Sequence, residues 1–223
     1  MLSNTLTIAA LLDLRHTIAA DFLSKFTYPW EALPEIAACI RALGETLSAE
    51  EFDHPRDGVW IARSAKVAPT AFIGDNVIIG ANTEVRHGAF IRGNALVGEN
   101  AVVGNSAELK NVILFDNVQT PHYNYVGDSI LGYRAHMGAG SITSNVKSDK
   151  TPVVVRLGDE RFETGLKKFG AILGDNVEIG CNSVLNPGTI VCRNSNVYPL
   201  SSVRGVVPEA HIFKRADDIV KKR

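Results

Sequence analysis

From Ile61 to Pro121 an apolar residue stands at every sixth position without a break: Ile61, Val67, Ile73, Ile79, Val85, Ile91, Val97, Val103, Leu109, Phe115 and Pro121. A period of six fits neither an amphipathic helix, which repeats every 3.6 residues, nor a half-buried strand, which alternates every two. Four residues after each apolar position stands a mostly small or β-branched one, as at Ala65, Ala71, Val77, Thr83 and Ala89. This is a hexapeptide repeat. Each hexad supplies a short strand and a turn, and three hexads close one triangular coil with the apolar side chain inside. The spacing predicts a mainly β chain built as a parallel β-helix.

After Pro121 the register slips by two five-residue steps, through Val126 to Leu131, and continues at Met137 and Thr143. A polar excursion from about Ser144 to Gly170 follows, and the hexads resume at Leu173, Ile179, Leu185, Val191, Val197 and Val203. The pattern predicts roughly seven coils with one inserted loop over 144–170. Within the loop, Val153–Leu157 and Arg161–Thr164 flank Gly158-Asp159 as the arms of a hairpin would. Such a hairpin is too long and too apolar to be idle on a monomer.

Residues 1–58 carry no hexads but show helical spacing at Ile8, Leu11 and Leu12, at Ile18, Phe22 and Leu23, and at Leu33, Ile36, Ile40 and Leu43. They predict an α-helical cap ahead of a β-helix over 59–207, because the open edge of a terminal coil otherwise offers unpaired backbone. Pro208 ends the repeat, and 208–223 is expected to be a short basic helix or tail.

A formal net charge of −1 gives no footprint for nucleic acid or an anionic membrane. Three scattered cysteines, Cys39, Cys181 and Cys192, and an N-terminus without a basic, apolar leader point to a reduced, cytoplasmic setting.

Gly or Ala usually follows the apolar position; Arg86, Arg92, Lys110 and His122 depart from that habit. Arg92 and Lys110 are 18 residues apart, so they are expected one directly above the other. Their repulsion is relieved by solvent, by acids such as Glu108 or Asp116, or by a phosphate. His122 lies where the register breaks, among Tyr123, Asn124 and Tyr125, with His136 and Asn145 one short coil later. Polar residues concentrated at an irregularity mark a functional position.

His122-Tyr-Asn-Tyr-Val-Gly-Asp-Ser129, followed by Met137-Gly-Ala-Gly-Ser-Ile-Thr143 and Asn145, resembles the acetyltransferase domain of the bifunctional N-acetylglucosamine-1-phosphate uridylyltransferase/glucosamine-1-phosphate acetyltransferases, especially their archaeal relatives. The resemblance covers about residues 60–207. It implies a left-handed β-helix, acetyl-CoA as co-substrate with no metal required, and a role in UDP-N-acetylglucosamine biosynthesis. It makes His122 the general base. Arg92 and Lys110 match the phosphate-holding positions, and Tyr125 and Asn145 match sugar contacts. Lys168 or its neighbour Lys167 matches the lysine after the inserted loop. Ala139, Cys181 and Pro199 match the lining of the acetyl-CoA groove. His136 stands where bacterial members have Asn, which opens the choice of sugar epimer. The nucleotidyltransferase domain of the family is expected to be absent.

The implied reaction is N-acetylation of glucosamine-1-phosphate or galactosamine-1-phosphate. The free amine attacks the thioester, His122 takes its proton, and a backbone N–H around Gly138–Gly140 holds the oxyanion. The family places its site between subunits, so a homotrimer is implied. Competing readings are an acetyltransferase for a nucleotide-linked amino sugar and a non-catalytic β-helix binding or regulatory module. A γ-type carbonic anhydrase would need ligands about five residues apart, against spacings of 35 and 14 for His87, His122 and His136.

Overall fold

The computed structural model describes residues 2–222; Met1 and Arg223, at the outer ends of the predicted cap and tail, lie outside the described residues. The hexads form a left-handed parallel β-helix with three faces. On the first face Phe72, Phe90, Glu108, Tyr125, Ile142, Val184 and Ser202 stand in one column. The second face carries the column Ile61, Ile79, Val97, Leu114, Leu131, Leu173, Val191 and Val207, eight levels where the hexads predict about seven coils. Strands such as Phe72–Ile79 and Phe90–Val97 bend around a corner and serve both of these faces. The third face is a separate sheet, with Val67, Val85, Val103 and Thr120 in column.

Asn holds many of the corners. Asn76, Asn94, Asn111 and Asn117 all adopt positive φ, which a short polar side chain tolerates better than a branched one.

The register break differs from the expected one. Leu114 pairs with Val97 and Leu131, and Thr120 pairs with Val103, so the first five-residue step falls at Leu109→Leu114, before Pro121. Leu114 and Thr120, not Phe115 and Pro121, occupy the core columns. The second short step, Val126→Leu131, is where the sequence places it.

The N-terminal segment does not sit over the end of the coil. On the second face most levels carry three consecutive apolar residues (Val77-Ile-Ile79, Val112-Ile-Leu114) and two begin with a hydroxyl residue (Ser129, Thr189), so in each the apolar middle one points outward. Trp60, Ile78, Leu96, Ile113, Ile130, Ile172 and Ile190 therefore form an outer apolar row, yet all are buried. The N-terminal segment covers the part of this row from Trp60 to Ile130. Its helix Ile36–Gly44 lies against the strands Phe72–Ile79, Phe90–Val97 and Glu108–Leu114, and Pro29–Glu35 lies against Tyr125–Leu131. At the far end Asp175 accepts the backbone N–H of Asp13 at 2.8 Å and that of Tyr133 at 2.9 Å, and His16 stacks on Tyr133. The edge of the first coil is protected instead by the strand Phe52–Arg56, antiparallel to Val59–Ala62.

The C-terminal end is also corrected. His211–Arg215 and Asp218–Lys221 form an antiparallel hairpin, neither helix nor loose tail, and Phe213 extends the third face above Val197. The inserted loop does contain the expected hairpin, Val154–Leu157 with Glu160–Glu163. Its apolar side is used within the chain: Val153 and Val155 are buried, and Phe162 packs edge-on against Tyr28 and Trp30. Its apolarity therefore needs no second subunit. No described helix is long and apolar enough to cross a membrane.

Candidate active site

At the corner between the first and second faces, the position held by Asn76, Asn94 and Asn111 is taken at the next level by Asp128, again at positive φ. Its carboxylate is 4% exposed and densely coordinated. Oδ1 accepts from Lys110 Nζ at 2.8 Å and Asn111 Nδ2 at 3.1 Å; Oδ2 accepts from Asn145 Nδ2 at 2.5 Å. Asn145 Nδ2 also donates to the Tyr125 hydroxyl at 3.1 Å. Three of the sequence-predicted residues, Lys110, Tyr125 and Asn145, thus meet around an acid that hexad spacing had not singled out. The available signal was an Asp following three successive Asn residues, Asn76, Asn94 and Asn111, in one corner column. Burial, then the charges of Asp128 and Glu108, pushes the Tyr125 phenol pKa upward, so it remains a proton donor.

Arg92 and Lys110 are not stacked. Lys110 pairs in register with Gly93, and a bulge lies between Ile91 and Gly93. Gly93, at φ 137, provides the backbone that only glycine adopts readily, and the bulge re-aims Arg92. Carboxylates relieve the expected repulsion within the chain: Arg92 NH1 donates to Glu108 Oε1 at 2.8 Å, and Lys110 is held by Asp128. Of the two expected acids, Glu108 takes this part. Asp116 instead accepts the backbone N–H of Glu99 at 2.8 Å on another corner.

His122 lies at the corner between the third and first faces. Its carbonyl accepts the N–H of Gly140 at 3.0 Å, the Ala139 carbonyl accepts from Asn182 at 2.8 Å, and the Cys181 carbonyl accepts from Leu200 at 2.9 Å. His122, Ala139, Cys181 and Pro199 are therefore successive rungs of one edge. Asn124, 2% exposed, staples this turn to the next through Nδ2, donating to the carbonyls of Gly138 at 2.9 Å and Ser141 at 3.2 Å. The His122 and Cys181 side chains are exposed and without partners among the described residues.

Within the stretch expected to hold an oxyanion, the Gly138 N–H donates to Ile179 and the Gly140 N–H to His122. The N–H of Ala139 has no partner among the described residues. The same edge exposes Tyr123 and Leu200 at positive φ (51° and 59°), a strained conformation for bulky side chains.

His136 does not join this group within the chain. It pairs in register with Gln119, three residues before His122, and its Nδ1 lies 2.7 Å from Glu178 Oε2 on the third face. Lys168 and Lys167 are both exposed. Lys168 neighbours Phe169, whose N–H donates to the Asn145 carbonyl at 3.0 Å, so the loop returns to the Asp128 cluster. Among the described residues no group of three or more His, Cys, Asp or Glu side chains is gathered to hold a metal.

These features define a left-handed hexapeptide-repeat β-helix with a polar cluster beside an open corner. The family described as the GMPPB C-terminal domain matches residues 81–199, more than half of the chain, and the chain belongs to that family. It is 36% identical over 117 residues to a bifunctional protein GlmU of Methanococcus vannielii, covering 52% of this chain and 28% of that protein. It is 31% identical over 107 residues to a bifunctional sugar-1-phosphate nucleotidylyltransferase/acetyltransferase of Sulfurisphaera tokodaii, covering 48% of this chain and 27% of that one. The chain thus spans little more than a quarter of the length of these relatives. Among solved structures, a hexapeptide transferase family protein from Anaplasma phagocytophilum shares the fold, with a TM-score of 0.50 and 18% identity over 74% of this chain and 79% of that one.

Proposed function

We propose that this chain transfers the acetyl group of acetyl-CoA to the amine of an amino-sugar 1-phosphate. The observation that carries the reading is the shared edge. His122 and the unpartnered Ala139 N–H stand on neighbouring rungs, and the Tyr125–Asn145–Asp128–Lys110 cluster begins three residues beyond His122. The Sulfurisphaera tokodaii relative, whose name includes both a sugar 1-phosphate and acetyl transfer, supports the same substrate class.

The acceptor nitrogen must be uncharged to attack the thioester carbonyl. His122, exposed and uncommitted, takes a proton from it as the C–N bond forms. The oxyanion that develops is held by the Ala139 N–H. Collapse breaks the C–S bond, and the proton leaves with the coenzyme A thiol. Cys181 and Pro199, on the following rungs, line the path of the pantetheine arm, and the outward Tyr123 and Leu200 give it apolar surface.

Tyr125 and Asn145 contact the sugar, with Asp128 fixing Asn145. Arg92 carries the larger share of phosphate binding, because its partner Glu108 is a half-exposed carboxylate that a phosphate can displace. Lys110 commits donors to both oxygens of Asp128 and keeps the remainder of its ammonium for the ligand. His136 is assigned to the acceptor from a neighbouring copy in a homotrimer, since within one chain it faces away from Asn145. Lys168 closes over the phosphate from the loop.

The test is thiol release from acetyl-CoA with glucosamine and galactosamine, each with and without a 1-phosphate. Turnover that depends on the phosphate is expected. No thiol release with any amino sugar overturns the reading in favour of a non-catalytic module.

A further inference from the structure

On the hairpin of the inserted loop, Arg156 and Arg161 are directly opposite each other across the two strands. Like charges in that position destabilise a strand pair. Neither side chain makes a hydrogen bond or ion pair among the described residues, and nor does Arg204 on the adjoining coil. Most arginines elsewhere differ: Arg15, Arg41, Arg56, Arg63, Arg86, Arg92 and Arg193 each face a carboxylate, and Arg134 lies over the Tyr133 ring, while Arg215 on the C-terminal hairpin has no ion pair among the described residues. With a formal net charge of −1 for the whole chain, a local surplus of cations is not a consequence of composition.

The hairpin cannot turn these arginines away. Its other side is committed, with Val155 buried and its cross-strand partner Phe162 against Tyr28 and Trp30. By strand alternation Arg156 and Arg161 share the opposite side with the pair Val154 and Glu163. That side closes a cleft of about 440 Å³ against Pro187, Gly188, Arg204 and Gly205, with Lys147 at its rim. Arg156, Arg161, Arg204 and Lys147, the last ion-paired with Asp149 at 3.3 Å, thus line one concavity in which Glu163 is the carboxylate among the lining residues. The volume suits a small ligand. Lys147 is two residues from Asn145 in the same loop, so the cleft adjoins the Asp128 cluster.

We propose that this cleft binds a phosphate ester carrying two or more negative charges, a diphosphate above all. Guanidinium forks match phosphate oxygens, and two of them on a rigid hairpin provide a preformed clamp. Two sources carry such a group: the phosphates of the acetyl-CoA donor, and the diphosphate of a nucleotide-linked amino sugar. The choice between them rests on the acetyl-transfer reading; binding of the anion does not.

The experiment is calorimetric titration of the whole chain with inorganic pyrophosphate. The parent binds; Arg156→Ala and Arg161→Ala each weaken binding about tenfold or more, as loss of a charge-assisted contact requires. Glu163→Gln tightens it, an outcome that misfolding cannot imitate. His122→Ala binds as the parent does, which separates this site from the chemistry. No pyrophosphate binding to the parent, or binding as tight as the parent's by both arginine variants, overturns the proposal. Weaker binding of coenzyme A but not of dephospho-coenzyme A by Arg161→Ala assigns the cleft to the donor's 3′-phosphate, and loss for both assigns it to the donor's diphosphate. Weaker binding of a nucleoside-diphosphate amino sugar, but not of the sugar 1-phosphate, assigns the cleft to the acceptor.

Discussion

Lys110 Nζ lies 2.8 Å from Asp128 Oδ1, and that carboxylate is almost wholly buried. The pair differs from Arg92–Glu108, at the same 2.8 Å, whose side chains are 47% and 32% exposed. Burial decides what each is worth. Removing one partner of a fully buried pair costs about 3–5 kcal/mol, an upper bound here because the Lys110 side chain is 25% exposed and Asn111 and Asn145 still donate to Asp128, whereas an exposed pair contributes about 1 kcal/mol or less.

Lys110→Ala should therefore lower thermal stability markedly, and Lys110→Met combined with Asp128→Asn should recover most of it. Arg92→Ala should leave the melting temperature near that of the parent and raise KM for the sugar 1-phosphate by roughly 10- to 100-fold, with KM for acetyl-CoA unchanged. Thermal melts and steady-state kinetics on the same preparations check both. Equal melting of Lys110→Ala and the parent would contradict the structural weight given to the pair.

His122→Ala should lower kcat by about 10²- to 10⁴-fold with modest change in either KM, because the imidazole acts on a proton in flight. The side chain is exposed, so its loss leaves folding intact. Circular dichroism melts alongside thiol-release assays separate the two effects, and a near-parental kcat rules out His122 as the base.

Outward positions on the second face should behave as core. Ile113→Asp should destabilise by several kcal/mol, like Val97→Asp inside the coil, because both bury an unpaired carboxylate. Val102→Asp, outward on the uncovered third face, should melt within a few degrees of the parent. If Ile113→Asp is tolerated as Val102→Asp is, the N-terminal segment does not seal the second face.

Thiol labelling should separate the cysteines. Burial pushes the Cys39 thiol up to about 11 and the Cys192 thiol up to about 12, so both are protonated and enclosed at pH 8. Cys181 is exposed. Iodoacetamide on the native chain should modify Cys181 alone, as mass spectrometry of peptides would show, and acetyl-CoA should protect it if the edge from Ala139 to Pro199 is the donor groove. Modification unchanged by saturating acetyl-CoA would remove Cys181 from that groove.

The sequence by itself determined the coil. A strict six-residue period places every sixth side chain in the same environment, so hexads such as Ile79, Val97 and Val191 could be assigned to core columns from spacing alone. Ala139, Cys181 and Pro199 came from the family resemblance rather than from the period, and the backbone hydrogen bonds make them, with His122, successive rungs of one edge.

What needed the tertiary structure is what depends on contacts between elements. The five-residue step at Leu109→Leu114 was hidden because Phe115 and Pro121 are also apolar, and only strand pairing distinguishes the registers. The bulge that separates Arg92 from Lys110 leaves no mark on spacing. Asp128 acquires its role only because Lys110, Asn111 and Asn145 converge on it from coils before and after. The N-terminal residues read as a cap because their helical spacing shows that one face is apolar but not what it meets. The outer row from Trp60 to Ile130 decides that, since burying a continuous apolar stripe along the coils gains more than covering one terminal edge that a single antiparallel strand already protects.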